Sequence, residues 1–175
     1  MNSTALRLIA IAIAGMTCLP AAAAEEATVK AFVVWEGSGQ TVQTATAEAT
    51  FIGSIAGTVY VETAKGPVAS GHMVCPSSLH INLESGVQNG LGNCVMTAPD
   101  GGQIYAEYTC TGVHLVGCDG DFRLTGGTGR FEGISGGGRA VLRASERTLT
   151  EAGGVGVAET GSGILFWPAL KYKLP

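Results

Sequence analysis

Along most of this chain, apolar segments rich in Val, Ile, Thr and aromatic residues are bounded by Gly, Pro, Asn and Asp, as strands between turns are. Thr28–Glu36 (TVKAFVVWE) opens the pattern, and Gly37-Ser38-Gly39 predicts its end. Thr46–Glu62 is longer, carries Gly53 and Gly57, and reads as one bent strand or two short ones. Gly71–Leu83 holds Pro76, which cannot donate to a ladder, so a break or a rim position is expected there. Val87–Thr97 returns, and Pro99-Asp100-Gly101-Gly102 is a strong hairpin turn. In Gln103–Cys110, Ile104, Ala106, Tyr108 and Cys110 share one face, and Tyr105, Glu107 and Thr109 the other. Gly117–Leu124, Phe131–Ala144 and Gly163–Leu174 complete the strands, with Glu151–Gly156 as a Gly-rich loop. After Ala24 the chain carries no helix signal. Consecutive strands joined by short turns suit an up-and-down barrel or a sandwich.

The start of the chain reads differently. Arg7, the apolar run Leu8–Met16 and a small-residue site before Glu25 have the layout of a secretory leader, so residues 1–24 are assigned to a cleaved signal peptide and 25–175 to one β domain. The apolar run is shorter than the roughly 20 residues needed to span a bilayer. Export to the periplasm or the medium is therefore expected, with no membrane attachment after cleavage. Five cysteines are present, and Cys18 leaves with the leader. The other four read as two disulfides in an oxidising compartment. Of the three pairings, Cys75–Cys94 and Cys110–Cys118 are favoured, because each would staple neighbouring strands.

Composition narrows the partners. Charged residues make up 14% of the 175-residue chain and the net charge is −4. An acidic chain without clustered Lys and Arg does not suit nucleic acid. Apolar residues reach 46%, so either both faces of the strands are covered or apolar surface awaits a partner. No metal site is expected: the cysteines lack C-x-x-C spacing, and His72, His80 and His114 lack ligand spacing. Asp119-Gly120-Asp121 is too short of oxygen ligands for calcium. Gly126–Gly129 precedes no helix, so no phosphate loop and no cofactor are expected.

The segment L-T-G-G-T-G-R-F-E-G-I-S-G-G-G-R-A-V-L-R, Leu124–Arg143, is a strand end, a glycine corner and a Gly-broken strand. Glycine at such corners lets a strand bend hard, as a closing barrel requires. T-G-G-T-G-R-F-E-G-I-S-G-G-G resembles the corner of the allene oxide cyclase-like and dirigent-like barrels, over about 20 residues from Phe122 to Val141. The resemblance implies a single antiparallel eight-stranded barrel of calycin type with an apolar interior, often trimeric. It also implies a small hydrophobic ligand, bound or cyclised. No cavity residue carries over from it.

Individual candidates follow from chemistry. Glu107, between two tyrosines, is a candidate acid or base if it points into an apolar interior; pointing outward it is a solvated carboxylate. Arg139 with Arg143 would bind a carboxylate from the interior. Trp35 and Tyr105 are candidate ligand contacts, with core and surface positions as their alternatives. The run Ile164-Leu165-Phe166-Trp167 is apolar on both faces; one face is expected to fill the barrel and the other to meet a second subunit. Three functions stand at this point: a binding barrel, a cyclase or isomerase, and a filled structural module. The state of the interior separates them.

Overall fold

The computed structural model describes residues 25–154 and 156–175. The leader assignment, with Cys18, lies outside them. The described chain forms β1 (Glu25–Ala45), β2 (Glu48–Thr63), β3 (Gly66–Asn82), β4 (Val87–Thr97), β5 (Gln103–Val113), β6 (Gly117–Gly127), β7 (Ser135–Ala152) and β8 (Gly156–Leu174). Each strand pairs antiparallel with the next, and β8 pairs with β1, so the sheet closes into a barrel. The only helical turn among the described residues is a 3-10 turn, Gly129–Phe131, between β6 and β7. Among the described residues no helix is long and apolar enough to cross a membrane.

Strand bounds depart from the sequence reading where glycine was taken as a terminator. β1 does not stop at Gly37-Ser38-Gly39 but runs through to Ala45, and Thr46–Glu62 resolves into a single strand. Gly37, Gly39 and Gly53 face inward, and side chains of β2 occupy the space their own would need: Ile55 lies over Gly37, and the Phe51 ring over Gly39 and Gly53. Trp35 covers Gly163 and Tyr108 covers Gly92 in the same way. These glycines act less as hinges than as gaps that let large rings lie across a narrow interior. β8 accordingly starts at Gly156 rather than Gly163, and Phe131 belongs to the 3-10 turn rather than to β7. In that corner Gly129 and Gly133 adopt φ of 61° and 75°, left-handed values that L residues avoid.

Pro76 sits in mid-strand. Its ladder to β2 is continuous, with Ser54 opposite, whereas bridging to β4 lapses between Val74 and Ser77. Cys75 and Cys94 face one another across that lapse and are bonded, with Cα atoms 4.1 Å apart. The second disulfide, Cys110–Cys118, links β5 to β6 with Cα atoms 5.5 Å apart. Both predicted pairings are present, and both lie inside the barrel.

Alternation decides the interior. Val33, Trp35, Met73, Cys75, Cys94, Phe122 and Trp167 are almost wholly buried and form a solid waist. The Phe122 and Trp167 rings meet edge to face at 4.9 Å. In the C-terminal run Leu165 and Trp167 point inward. Ile164 lies partly exposed on the other face, where Phe166, opposite Phe32, is more covered.

Candidate functional site

The waist divides the interior into two ends of different chemistry. One end carries the β2–β3, β4–β5 and β6–β7 turns and both ends of the described chain. Above the waist it opens into a cavity of about 680 Å³. Trp167 and Ala31 form its floor, Val59, Val61, Met96, Ile104, Leu124 and Leu170 its walls, and Phe131, Ile134 and Tyr172 its rim. Strand parity places Val59, Val61, Met96, Ile104 and Leu124, since every second residue of an antiparallel barrel points inward, and a shift in the β1–β8 pairing between Val29 and Ala31 turns Leu170 inward three residues after Trp167. The corner between β6 and β7 folds Phe131 and Ile134 back over the opening. Ile134 donates its backbone N–H to Phe131 O at 3.0 Å. Of the lining residues only Arg130 and Tyr172 are ionisable. Arg130 stands at the edge, with Nε 3.0 Å from Asp100 Oδ2 and its guanidinium 4.7 Å from the Phe131 ring centre. Its charge is already matched, and both partners are well exposed.

The opposite end is polar. Glu159 of β8 is 2% exposed. Its Oε1 accepts from Thr41 Oγ1 and lies 3.1 Å from His114 Nε2. His114 Nδ1 in turn lies 3.0 Å from Oε1 of the buried Gln88. The turn carrying His114 places Leu115 at φ 65°, the only positive value at a non-glycine residue among those described. Burial alone would raise the Glu159 carboxyl. The bonds from His114 and Thr41, with the charges of His114 and Arg147, outweigh it and hold the group below its ordinary value. Arg147 lies over the Trp35 ring, its guanidinium carbon 5.3 Å from the centre. Burial lowers its pKa, and the Glu159 charge partly restores it. Nearby, Ser77 Oγ donates to Cys75 O at 2.9 Å and so accepts from Tyr108 OH at 2.6 Å. Burial raises the Tyr108 phenol, and the Ser77 bond opposes this.

The candidates named from sequence are dispersed by this geometry. Glu107 does not enter the interior: it lies on the outer face, paired with Arg123 and half exposed. Tyr105 is also outside, its hydroxyl donating to Gln103 Oε1 at 2.9 Å. Both follow from Ala106 and Tyr108 pointing inward. Arg139 and Arg143 face outward as well and share Asp119, at 3.1 and 2.9 Å. They hold its carboxyl low through the hydrogen bond from Arg143 above all, so a neighbouring strand takes up the role assigned to an interior ligand. Trp35 is fully buried and belongs to the waist; it does not line the apolar cavity. His80 pairs with Glu48 at the surface. Among the described residues no group of His, Cys, Asp and Glu is placed to hold a metal.

Glu159, His114, Gln88 and Arg147 were not singled out together. Glu159 was within reach of the sequence: it shares parity with Gly161, Gly163, Leu165 and Trp167, a face visible once the strand is started at Gly156. Arg147 was not. An irregularity in β7 between Ala144 and Glu146 shifts the inward set from even to odd positions, and nothing in the local sequence announces it.

Comparison with known proteins adds little. No family model matches the chain. No curated protein matches it either. Among solved structures it is similar to a pterocarpan synthase dirigent protein, at 11% identity, covering 89% of this chain and 99% of that one with a TM-score of 0.35. At that score the likeness carries no argument about this chain. The barrel stands on its own strand register.

Proposed function

We propose that the protein is an exported binding barrel that holds a small, uncharged apolar molecule in the cavity above its waist. One observation carries this reading: a cavity of about 680 Å³, open at one end, whose walls are aliphatic and aromatic. Sites for drug-sized ligands fall at about 300–1,000 Å³ with a predominantly hydrophobic lining. Displacing water from such walls stabilises a bound apolar molecule by roughly 25 cal/mol per Å² removed from solvent. The lining offers no unmatched charge, since Arg130 is paired with Asp100, which favours a neutral occupant over an acid. The two interior disulfides suit an oxidising compartment, in keeping with the leader. A cyclase would need an acid or base against the substrate, and Glu107, the residue considered for that role, lies outside.

Binding of the neutral dye N-phenyl-1-naphthylamine, followed by fluorescence, tests this. Val61→Trp and Ile104→Trp fill the open half of the cavity at partly buried positions. Each is expected to weaken the dye at least tenfold, while Glu107→Gln leaves it unchanged. Equal affinity in all three would place the dye elsewhere and end the proposal.

A further inference from the structure

The outer face of β7, β8, β1 and β2 is not uniformly polar. Val141, Phe166, Phe32 and Tyr60 stand in one row across these four strands, each opposite the next. The Phe32 and Tyr60 rings stack at 5.2 Å with planes 16° apart. One step along the strands, Val34 lies opposite Ile164, and the two are 55% and 40% exposed. On the side away from the cavity this apolar band gives way to a hollow of about 580 Å³, lined by small residues such as Ser38, Ser54, Ala56 and Ser162 and carrying Glu36 and Glu146. On the cavity side stand Lys30 and Lys171, with Glu62 next in line on β2. None of these five charges has an ion-pair partner among the described residues.

A partner that covers the band must also match what flanks it. The two flanks are opposites. Large side chains lie beside empty space, and a margin of two lysines and one glutamate lies across the band from a margin of two glutamates. A surface laid out in this way is complementary to itself after half a turn, which is the condition for an isologous pair. We propose that this face pairs with the same face of a second copy of the chain, about a two-fold axis near Val34 and Ile164. The row of rings on each copy enters the hollow on the other, and Lys30 and Lys171 of each approach Glu36 and Glu146 of the other. At about 4.8 Å between strands and about 3.3 Å per residue, four strands over the span of Thr28 to Ser38 offer roughly 600 Å² per copy, the lower end for a stable pair. The cavity opens at the end of the barrel, outside this face, so pairing leaves it accessible.

Sedimentation equilibrium of the purified protein over a concentration series tests the pairing. The expected mass is twice that of the chain. Val34→Lys, which sets a charge beside its own copy at the axis, is expected to yield a monomer. Lys30→Glu with Lys171→Glu, and separately Glu36→Lys with Glu146→Lys, are each expected to weaken pairing about tenfold, because each brings like charges together. An equimolar mixture of these two double variants is expected to pair as tightly as the unaltered protein, since every margin then meets its opposite. A monomer at all concentrations, a threefold mass, double variants that pair unchanged, or a mixture that stays apart would overturn the proposal. The mass of the unaltered protein decides even if a variant fails to fold. Dye affinity in the cavity is expected to be the same in Val34→Lys, so this test and the first fail separately.

Discussion

Removing the two disulfides one at a time tests how the barrel is held closed. In the chain-entropy account, cross-linking a loop of n residues lowers the unfolded-state entropy by about 2.1 + 1.5R ln n cal/mol/K. Cys75–Cys94 closes a separation of 19 residues and Cys110–Cys118 one of 8. At 25 °C these convert to about 3.2 and about 2.5 kcal/mol. For a chain of this size about 1 kcal/mol moves Tm by roughly 2–4 °C. Cys75→Ala with Cys94→Ala is therefore expected to lower Tm by about 6–13 °C, and the Cys110/Cys118 pair by about 5–10 °C. Thermal unfolding followed by circular dichroism, in the absence of reductant, reads both. The structure adds a functional distinction. Cys75 and Cys94 sit in the waist beneath the apolar cavity, whereas Cys110 and Cys118 lie on its other side, beside Tyr108 and Leu142. Only the first double variant should weaken the dye. A Tm loss below about 2 °C for both pairs, or a larger loss for the shorter loop, would refute the loop-entropy reasoning and point to native packing instead.

Two further outcomes follow. Gly129→Val places a β-branched residue at φ 61° and should cost about 1–3 kcal/mol by urea unfolding, since that region is strained for such side chains; a change under about 0.5 kcal/mol would contradict the assigned corner. Glu159, held below its ordinary value in the folded state, contributes stability that is present above the unfolded value of about 4.3 and lost as pH falls through the folded one. The acid limb of the unprotected protein's stability curve should therefore flatten in Glu159→Gln between about pH 5 and pH 3, and identical limbs would show that the carboxylate is not coupled to folding.

Much of the architecture was legible along the chain. Val87–Thr97 matches its strand in the structure, and Ile104, Ala106, Tyr108 and Cys110 do share one face of β5, although which of its faces is inward stayed open. The cysteine pairing followed from the order of the strands, because neighbours in a meander are neighbours in space. These features are local: a period of two and a short turn are complete within a few residues. The interior glycines misled for the opposite reason. Gly37 and Gly39 end a strand when judged alone, yet here Ile55 and Phe51 from the next strand use the room they leave. The same holds for the sites. Glu107 drew attention through its tyrosine neighbours and faces solvent, while Glu159, between Ala158 and Thr160, is enclosed. The sequence by itself determined a meander of strands and its covalent staples. Only the closed tertiary structure decided which side of each strand is inside, because closure and the irregularity between Ala144 and Glu146 set that parity, and a shift of one residue exchanges interior for exterior.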